Sequence, residues 1–404
     1  MGAAQMWRRA DSRCGAERNS ELSGLIRPAD LERVTRPGSR LRASGRPAAF
    51  AVGAYLLARI TGVVVLWFWG AADHKSLSHL LGHEWDSALY VRIIEHGYDH
   101  GYPLLSNMAF FPLFPMSARA LMLASPLSAA GAAIAIAWLS GLVAAWGLYA
   151  VGNLLYDQRT GIVLAVLWGV LPHALTESMA YSESLFTALA VWTLYCVLTE
   201  HWLPAGALCL LAGLSRPNAV ALVPVVCLAA LLAVVRRRAG WQAWAALLLA
   251  PLGWLGYLGW VGLRVHRLDG WFHIQKAGWG SSFDGGGYTL RELRTVLTRP
   301  VPLDLYLVTL VLALAVVLFV LSVLDRQPWP LLLFSALLLV LALGGSGYYN
   351  AKARFLVAAF PLLLKPAVSL ARARTGTAVV VLGFLTVLSA YFGGYVLLVW
   401  THSP

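Results

Sequence analysis

The chain has 404 residues, of which 59% are hydrophobic and 12% charged, whereas an ordinary soluble domain carries about 25% charged residues. The mean hydropathy is +0.68, and charge is scarce everywhere after residue 46, so a single membrane anchor cannot explain the composition. Long runs of Leu, Ala and Val predict an all-α, polytopic membrane protein rather than a transmembrane barrel of short alternating segments.

The net charge of +12 is concentrated at the ends of apolar runs. Ten arginines fall within residues 1–46, and further arginines lie at 236–238, 372 and 374. This distribution is typical of cytoplasmic span ends and does not indicate a nucleic-acid partner. Residues 1–46 also lack apolar periodicity, so we expect a disordered basic cytoplasmic tail before an integral membrane domain at residues 47–404.

Eleven transmembrane spans are predicted. The first, residues 47–70, places residues 71–107 in an exoplasmic loop that we expect to be mostly helical. Residues 108–124 are short and contain two prolines, and Arg159 suits a cytoplasmic position, so this segment is predicted to lie at the interface or to re-enter rather than span. The other spans are predicted at 129–152, 160–180, 183–199, 203–215, 218–236, 241–263, 302–324, 330–345, 354–371 and 376–400.

The first exoplasmic loop holds an unusual density of acids, histidines and aromatic residues. Asp86 follows Trp85 just beyond the first span, where a carboxylate can act as a general base near the membrane surface; an ordinary solvated loop acid is an equally good interpretation. Glu84 is a second candidate acid, but on a helix it would not share a face with Asp86. The spacing of His83, His96 and His100 with Glu95 matches no standard zinc motif, and we expect neither a metal ion nor a cofactor.

Four basic residues lie on the predicted exoplasmic side, against the general distribution of charge: Arg216, Lys276, Lys352 and Arg354. Arginine is well suited to binding phosphate, so this group indicates an anionic partner outside the membrane. For Arg216, snorkelling to lipid headgroups is an equally good interpretation. Glu183 follows Ser182 at the start of a span, and there it either faces a cavity or stabilises a helix N-terminus.

A set of short motifs follows Asp86 in a specific order: Trp85-Asp86, Tyr90, residues 94–98 (IEHGY), Asn107 and residues 109–115 (AFFPLFP). In this order and spacing the region resembles the PIG-V family of mannosyltransferases, which belongs to the GT-C class of membrane glycosyltransferases. Weaker similarity lies in residues 182–186 (SESLF), 215–219 (SRPNA), 354–355 and 360–361. The hydropathy layout of residues 47–400 also fits, whereas residues 1–46 have no counterpart.

The resemblance implies transfer of mannose, with inversion, from a polyprenyl- or dolichyl-phosphate donor to a hydroxyl on the exoplasmic face. Asp86 matches the acid of the family's first exoplasmic loop and would accept or orient the hydroxyl proton. By motif or by position, the expected substrate- and donor-binding residues are Trp85, Tyr90, Glu95, His96, Asn107, Glu183, Arg216, Asn218, Lys276, Lys352 and Arg354.

The excess of arginine over lysine and the abundant alanine are typical of GC-rich bacterial genomes. Bacteria do not make the glycolipid anchor that the eukaryotic family builds. We therefore expect a bacterial cell-membrane enzyme whose acceptor is a cell-envelope glycolipid, polysaccharide or protein, and whose donor sugar can differ from mannose.

The alternative interpretation is a transporter or lipid-linked-sugar flippase without transferase activity. Such a protein needs polar groups along a path through the membrane. The predicted spans offer few beyond Arg59 and Glu183, and no pair of broken spans repeats between the two halves of the chain. The sequence therefore favours an enzyme.

Overall fold

The computed structural model describes residues 45–99, 105–237 and 239–400. Within these ranges it contains seventeen α-helices, joined by short 3-10 turns and one pair of two-residue strands. Six helical segments are long and apolar enough to cross a membrane: Gly45–Ala72, Ala129–Leu155, Pro217–Val235, Trp241–Val265, Leu303–Leu324 and Thr375–Leu398. The protein is therefore an all-α, multi-pass membrane protein. The count of eleven spans stays a prediction, and most of the predicted tail, residues 1–44, lies outside the described residues.

The described residues form the following helices, in chain order. The first nine are α1 (Gly45–Ala72), α2 (Leu77–Gly82), α3 (Asp86–His96), α4 (Leu113–Ala124), α5 (Ala129–Leu155), α6 (Gln158–Gly169), α7 (Glu183–Leu198), α8 (Trp202–Gly213) and α9 (Val223–Val235). The remaining eight are α10 (Trp241–Val265), α11 (Gly270–Trp279), α12 (Gly287–Thr298), α13 (Leu303–Leu324), α14 (Trp329–Gly344), α15 (Lys352–Phe355), α16 (Leu364–Arg372) and α17 (Thr375–Leu398). Strand β1 (Ser282–Phe283) pairs antiparallel with β2 (Gly345–Ser346).

The segment that we predicted not to span, residues 108–124, forms part of a 3-10 turn and then α4. Helix α4 has 12 residues, a length of about 18 Å, whereas the hydrocarbon core of a bilayer is about 30 Å thick. It is therefore too short to cross by itself. Asn107–Ala109 forms the preceding 3-10 turn, which brings the aromatic residues 110 and 111 toward the protein interior.

Two predicted spans are interrupted near a proline. The span predicted at 160–180 is α-helical only as far as Gly169, shortly before Pro172. The span predicted at 354–371 is broken at Ala359, shortly before Pro361, with a bend of 77° between its halves. Proline has no backbone N–H to donate to the preceding turn, so a helix is weakest at these points. The second break separates the short helix α15 from α16 and thereby sets Lys352 and Arg354 apart from the helix that follows.

Helices α8 and α10 pack with their backbones nearly in contact. A Cβ atom placed on Gly206 would lie 2.7 Å from the Ala246 Cα, and one placed on Gly253 would lie 1.9 Å from the Leu210 carbonyl oxygen. Small residues permit this approach, and in a membrane close packing replaces the hydrophobic effect as the force that associates helices. This contact holds α8 and α10 together in the core, and the loop after α8 begins from this packed helix.

Replacing Gly253 with Ala is expected to destabilise the protein by about 1–3 kcal/mol, because the new methyl group overpacks the contact with α8. The measurement is the thermal midpoint of the purified protein in detergent. Gly256→Ala is the matched control in the same helix, since a Cβ there meets nothing within 4 Å. Equal midpoints for the two variants would show that α8 and α10 are not in tight contact.

Candidate functional site

A cavity of about 470 Å³ lies among α3, the turn after α8, helix α11 and the segment from β2 to α15. Its wall carries one carboxylate, Asp86, and three basic residues, Arg216, Lys352 and Arg354. Its aromatic lining consists of Trp85, Tyr90, Phe110, Phe111, Tyr181, Trp279, Tyr348 and Phe355. An acid, several cations and aromatic surfaces therefore meet in one space, which is the arrangement expected for a small-molecule site.

Asp86 is the first residue of α3, where a helix N-terminus favours a negative charge. Its backbone N–H donates to the Tyr181 hydroxyl at 3.2 Å, and its Oδ2 lies 2.7 Å from Arg354 Nη1. The side chain is 19% exposed, so Asp86 is a partly buried, ion-paired acid rather than a freely solvated loop residue. The preceding residue, Trp85, has a φ of 55°, a strained conformation for a large side chain that orients the start of the helix.

Four side chains of alternating charge form what we call the charge chain: Asp86, Arg354, Glu183 and Arg216. From the first pair it continues with Glu183 Oε1, which lies 3.4 Å from Arg354 Nε and 2.6 Å from Arg216 Nη1. Glu183 is 3% exposed and both arginines are less than a tenth exposed. Charges buried in this way interact strongly and depend on one another for compensation. Arg216 is therefore a member of a buried network, which argues against snorkelling to lipid headgroups.

Two tyrosines connect the charge chain to the cavity wall. The Arg354 guanidinium lies 5.2 Å from the centre of the Tyr181 ring, within cation–π distance. The Tyr90 hydroxyl lies 2.7 Å from Ser182 Oγ, which also accepts a hydrogen bond from Arg216 Nη1 at 3.2 Å. Burial raises the pKa of both tyrosine hydroxyls above its usual range, so both remain neutral hydrogen-bonding groups.

Lys352 supplies a third cation that has no carboxylate within ion-pair distance among the described residues. It is 2% exposed, and its Nζ donates to the carbonyls of Ala342 and Gly345 at 2.7 and 2.5 Å, at the C-terminal end of α14. A cation is favoured at a helix C-terminus. With Lys352, three cations face two carboxylates, so the site carries one net positive charge, which suits an anionic ligand.

Seven of the predicted site residues do not lie on the cavity wall: Glu84, Glu95, His96, Asn107, Glu183, Asn218 and Lys276. Glu84 lies 3.6 Å from His79, and Glu95 and His96 are exposed at the end of α3. Lys276 is exposed on α11, although the same helix contributes Gln275 and Trp279 to the wall. The structure thus brings together only part of the predicted set.

Asn107 holds the loop after α3 rather than lining the cavity. It is fully buried; its side chain accepts from the Asp99 N–H at 2.9 Å and donates to the Gly97 carbonyl at 3.1 Å. In return, its backbone N–H donates to Asp99 Oδ2 at 2.9 Å. These three hydrogen bonds join Gly97 and Asp99, just after α3, to Asn107, and so support the position of α3.

Asn218 and Glu183 lie at a second, much smaller pocket of about 10 Å³. Arg216, Arg354 and Phe355 also border it. A polar pocket of this size can hold about one water molecule. This pocket places Asn218 beside the charge chain.

Several residues of the site were not predicted from the sequence. Tyr181 and Ser182 immediately precede Glu183, and their motif could have indicated them. Trp279 lies between two glycines at the end of α11, and Tyr348 precedes the predicted basic pair. Aromatic residues beside turns on the same predicted side as the acid were an available signal. Phe110 belongs to the motif after Asn107 and lines the cavity with its ring edge-on to Tyr90.

Histidine, cysteine and carboxylate side chains do not gather into groups of three or more suited to a metal ion in the part of the chain that the structure describes. His79 and His83 stack on each other beside Glu84, away from the cavity.

Comparison of the sequence with models of known protein families gave no match, and neither did comparison with curated proteins. The resemblance to the PIG-V family therefore rests on the motifs themselves and stays a prediction.

Proposed function

We propose that the protein is a membrane glycosyltransferase that moves a hexose, with mannose as the first candidate, from a polyprenyl-phosphate donor to a hydroxyl acceptor on the exoplasmic face of the cell membrane. The observation that carries the proposal is the pairing of Asp86 with Arg354 at 2.7 Å on the wall of an aromatic-lined cavity with a net positive charge. An acid beside phosphate-binding cations is what transfer from a sugar phosphate requires.

The reaction assigns a role to each part of the cavity. The acceptor oxygen attacks the anomeric carbon of the sugar from the face opposite the phosphate, and its proton passes to the Asp86 carboxylate. The bond between the anomeric carbon and the phosphate oxygen breaks, and polyprenyl phosphate leaves with the bonding electrons. Arg354, Lys352 and Arg216 stabilise the charge that develops on the leaving phosphate. Aromatic faces such as those of Trp85 and Trp279 provide apolar surfaces for the sugar ring.

The test is transfer of labelled sugar from polyprenyl-phosphate mannose in membranes that contain or lack the protein. We expect protein-dependent transfer of the label to an acceptor, with equimolar release of polyprenyl phosphate. Movement of the labelled lipid or sugar across the membrane without cleavage of the sugar–phosphate bond would instead identify a carrier. Donors with other hexoses, tested in parallel, separate an incorrect sugar from an incorrect reaction class.

A further inference from the structure

Arg354 makes its two ionic contacts through different nitrogen atoms. Nη1 faces Asp86 at 2.7 Å, and Nε faces Glu183 at 3.4 Å. Yet neither nitrogen has a hydrogen-bond partner with good geometry among the described residues, although both atoms are buried. A buried guanidinium normally directs its N–H groups into its acceptors, because an unaligned buried donor is costly. Arg354 is thus held electrostatically but incompletely satisfied.

Arg216, the other arginine of the charge chain, differs in this respect. Its Nη1 lies 2.6 Å from Glu183, whose two oxygens also have no aligned donor among the described residues, but the same nitrogen donates a hydrogen bond to Ser182. Both arginines border the cavity, but Arg354 alone of the two contacts Asp86. The unaligned N–H donors of the charge chain therefore belong to Arg354, the cation beside the proposed base Asp86. They indicate a ligand that would accept hydrogen bonds from them.

We propose that Arg354 exchanges partners when an anionic phosphate enters the cavity: Nη1 turns from Asp86 to the phosphate, while Glu183 retains the guanidinium through Nε. This inference rests on the proposed function and adds an order of events to it. In the resting protein, Asp86 Oδ2 is occupied by the Arg354 guanidinium at 2.7 Å. Asp86 is therefore free to take the proton of the acceptor hydroxyl only after the donor phosphate has drawn Nη1 away, which prevents premature activation of water.

Glu183 acts in this exchange as a positioning residue. It does not line the cavity, and through one oxygen it contacts both Arg354 and Arg216. The Tyr181 ring supports the guanidinium, and the Tyr181 hydroxyl also accepts from the backbone of Asp86. Arg354 thus has the Glu183 carboxylate beside Nε and an aromatic face against its guanidinium, and the exchange is a rotation of the whole planar group about the Cδ–Nε bond.

The experiment measures binding of polyprenyl monophosphate, and separately of inorganic phosphate, to the purified full chain in lipid nanodiscs. Asp86→Asn removes the competitor for Nη1; if the resting ion pair is about 90% populated, affinity should rise about tenfold. Glu183→Gln removes the anchor, and affinity should fall. Asp73→Asn, the same change at an exposed acid after α1, should leave affinity unchanged.

A rise in phosphate affinity for Asp86→Asn together with a fall for Glu183→Gln would distinguish partner exchange from a simple electrostatic effect. Asp86→Asn and Glu183→Gln each remove one negative charge beside the same guanidinium, so electrostatics alone would tighten phosphate binding in both. Equal tightening, or no change in Asp86→Asn, would overturn the exchange. If inorganic phosphate follows the expected pattern but polyprenyl monophosphate does not bind, the exchange stands and the proposed donor is wrong. If neither phosphate binds, the exchange is wrong.

A second comparison does not depend on Glu183→Gln folding correctly. In an Arg354→Gln background, adding Asp86→Asn should give no gain in phosphate affinity, since the competed cation is absent. The double variant removes both members of an ion pair and so leaves no uncompensated charge between them. A gain in affinity of the same size as in the wild-type background would show that Asp86 acts on the phosphate directly and not through Arg354.

Discussion

Replacing Asp86 with Asn is expected to lower sugar transfer by about 10²–10⁴-fold, the usual contribution of a positioned general base. Asparagine keeps the size of the side chain but cannot accept the acceptor's proton. The measurement is the turnover rate with polyprenyl-phosphate sugar at saturating donor, normalised to the amount of protein in the membrane. If Asp86→Asn loses turnover but binds phosphate more tightly, then Asp86 serves catalysis and not recognition of the donor.

The control for this result is Asp73→Asn, which makes the same chemical change at an exposed acid between α1 and α2. Its transfer rate should equal that of the wild type. Wild-type turnover in Asp86→Asn would remove Asp86 from the reaction and direct attention to Glu183, the other carboxylate of the charge chain. A parallel loss in both variants would indicate a general effect of charge near the membrane surface.

Replacing Arg354 with Ala is expected to abolish transfer and to destabilise the protein by about 3–5 kcal/mol, the usual result of breaking a buried ion pair from one side. Asp86 then loses its ionic partner, and Glu183 keeps only Arg216. The measurements are the thermal midpoint in detergent and the transfer rate. Arg354→Lys retains the positive charge but loses the two-nitrogen fork, so it should recover more stability than activity.

Arg92 provides the matched surface comparison for this truncation. It pairs with Asp99 at 2.9 Å, but its side chain is 54% exposed. A pair whose cation is largely solvated contributes about 1 kcal/mol or less. Asp99, which is 9% exposed, also keeps the hydrogen bond from the Asn107 N–H, so Arg92→Ala should change the thermal midpoint little. Similar destabilisation by the two Arg→Ala changes would contradict the view that the charge chain is an internally compensated, buried network.

The sequence was sufficient to predict the fold class. Inside lipid, the backbone N–H and C=O groups must bond to one another within helices, and long apolar runs with few charges reflect this requirement. The sequence also indicated the short helix α4. The helix ends near Pro172 and Pro361 were less evident. Both prolines are visible, but the residues around Pro361 are as apolar as those of an unbroken span, and apolar residues also lead up to Pro172. Only tertiary packing decides whether such a run continues or bends.

The candidate site was predicted unevenly for a different reason. Asp86, Arg216, Lys352 and Arg354 could be selected because a charge in an apolar chain is conspicuous. The contacts of Arg354 with Asp86, and of Glu183 with Arg216 and Arg354, could not be predicted, since they join segments far apart in the sequence. On α11, the sequence alone favoured the charged Lys276, whereas the cavity is lined by Gln275 and Trp279. Hydrophobic periodicity does not identify the inner face of a short loop helix with so many aromatic residues.

The burial of the charge chain has a consequence for how the protein responds to ionic strength. Mobile ions screen exposed charges over a Debye length of about 8 Å at physiological salt, but they do not enter a packed interior. The contacts of Glu183 with Arg216 and Arg354 are therefore insulated from the medium, unlike the exposed pair of Arg92 and Asp99. The arrangement of these internal charges therefore stays constant as the salt concentration around the protein varies.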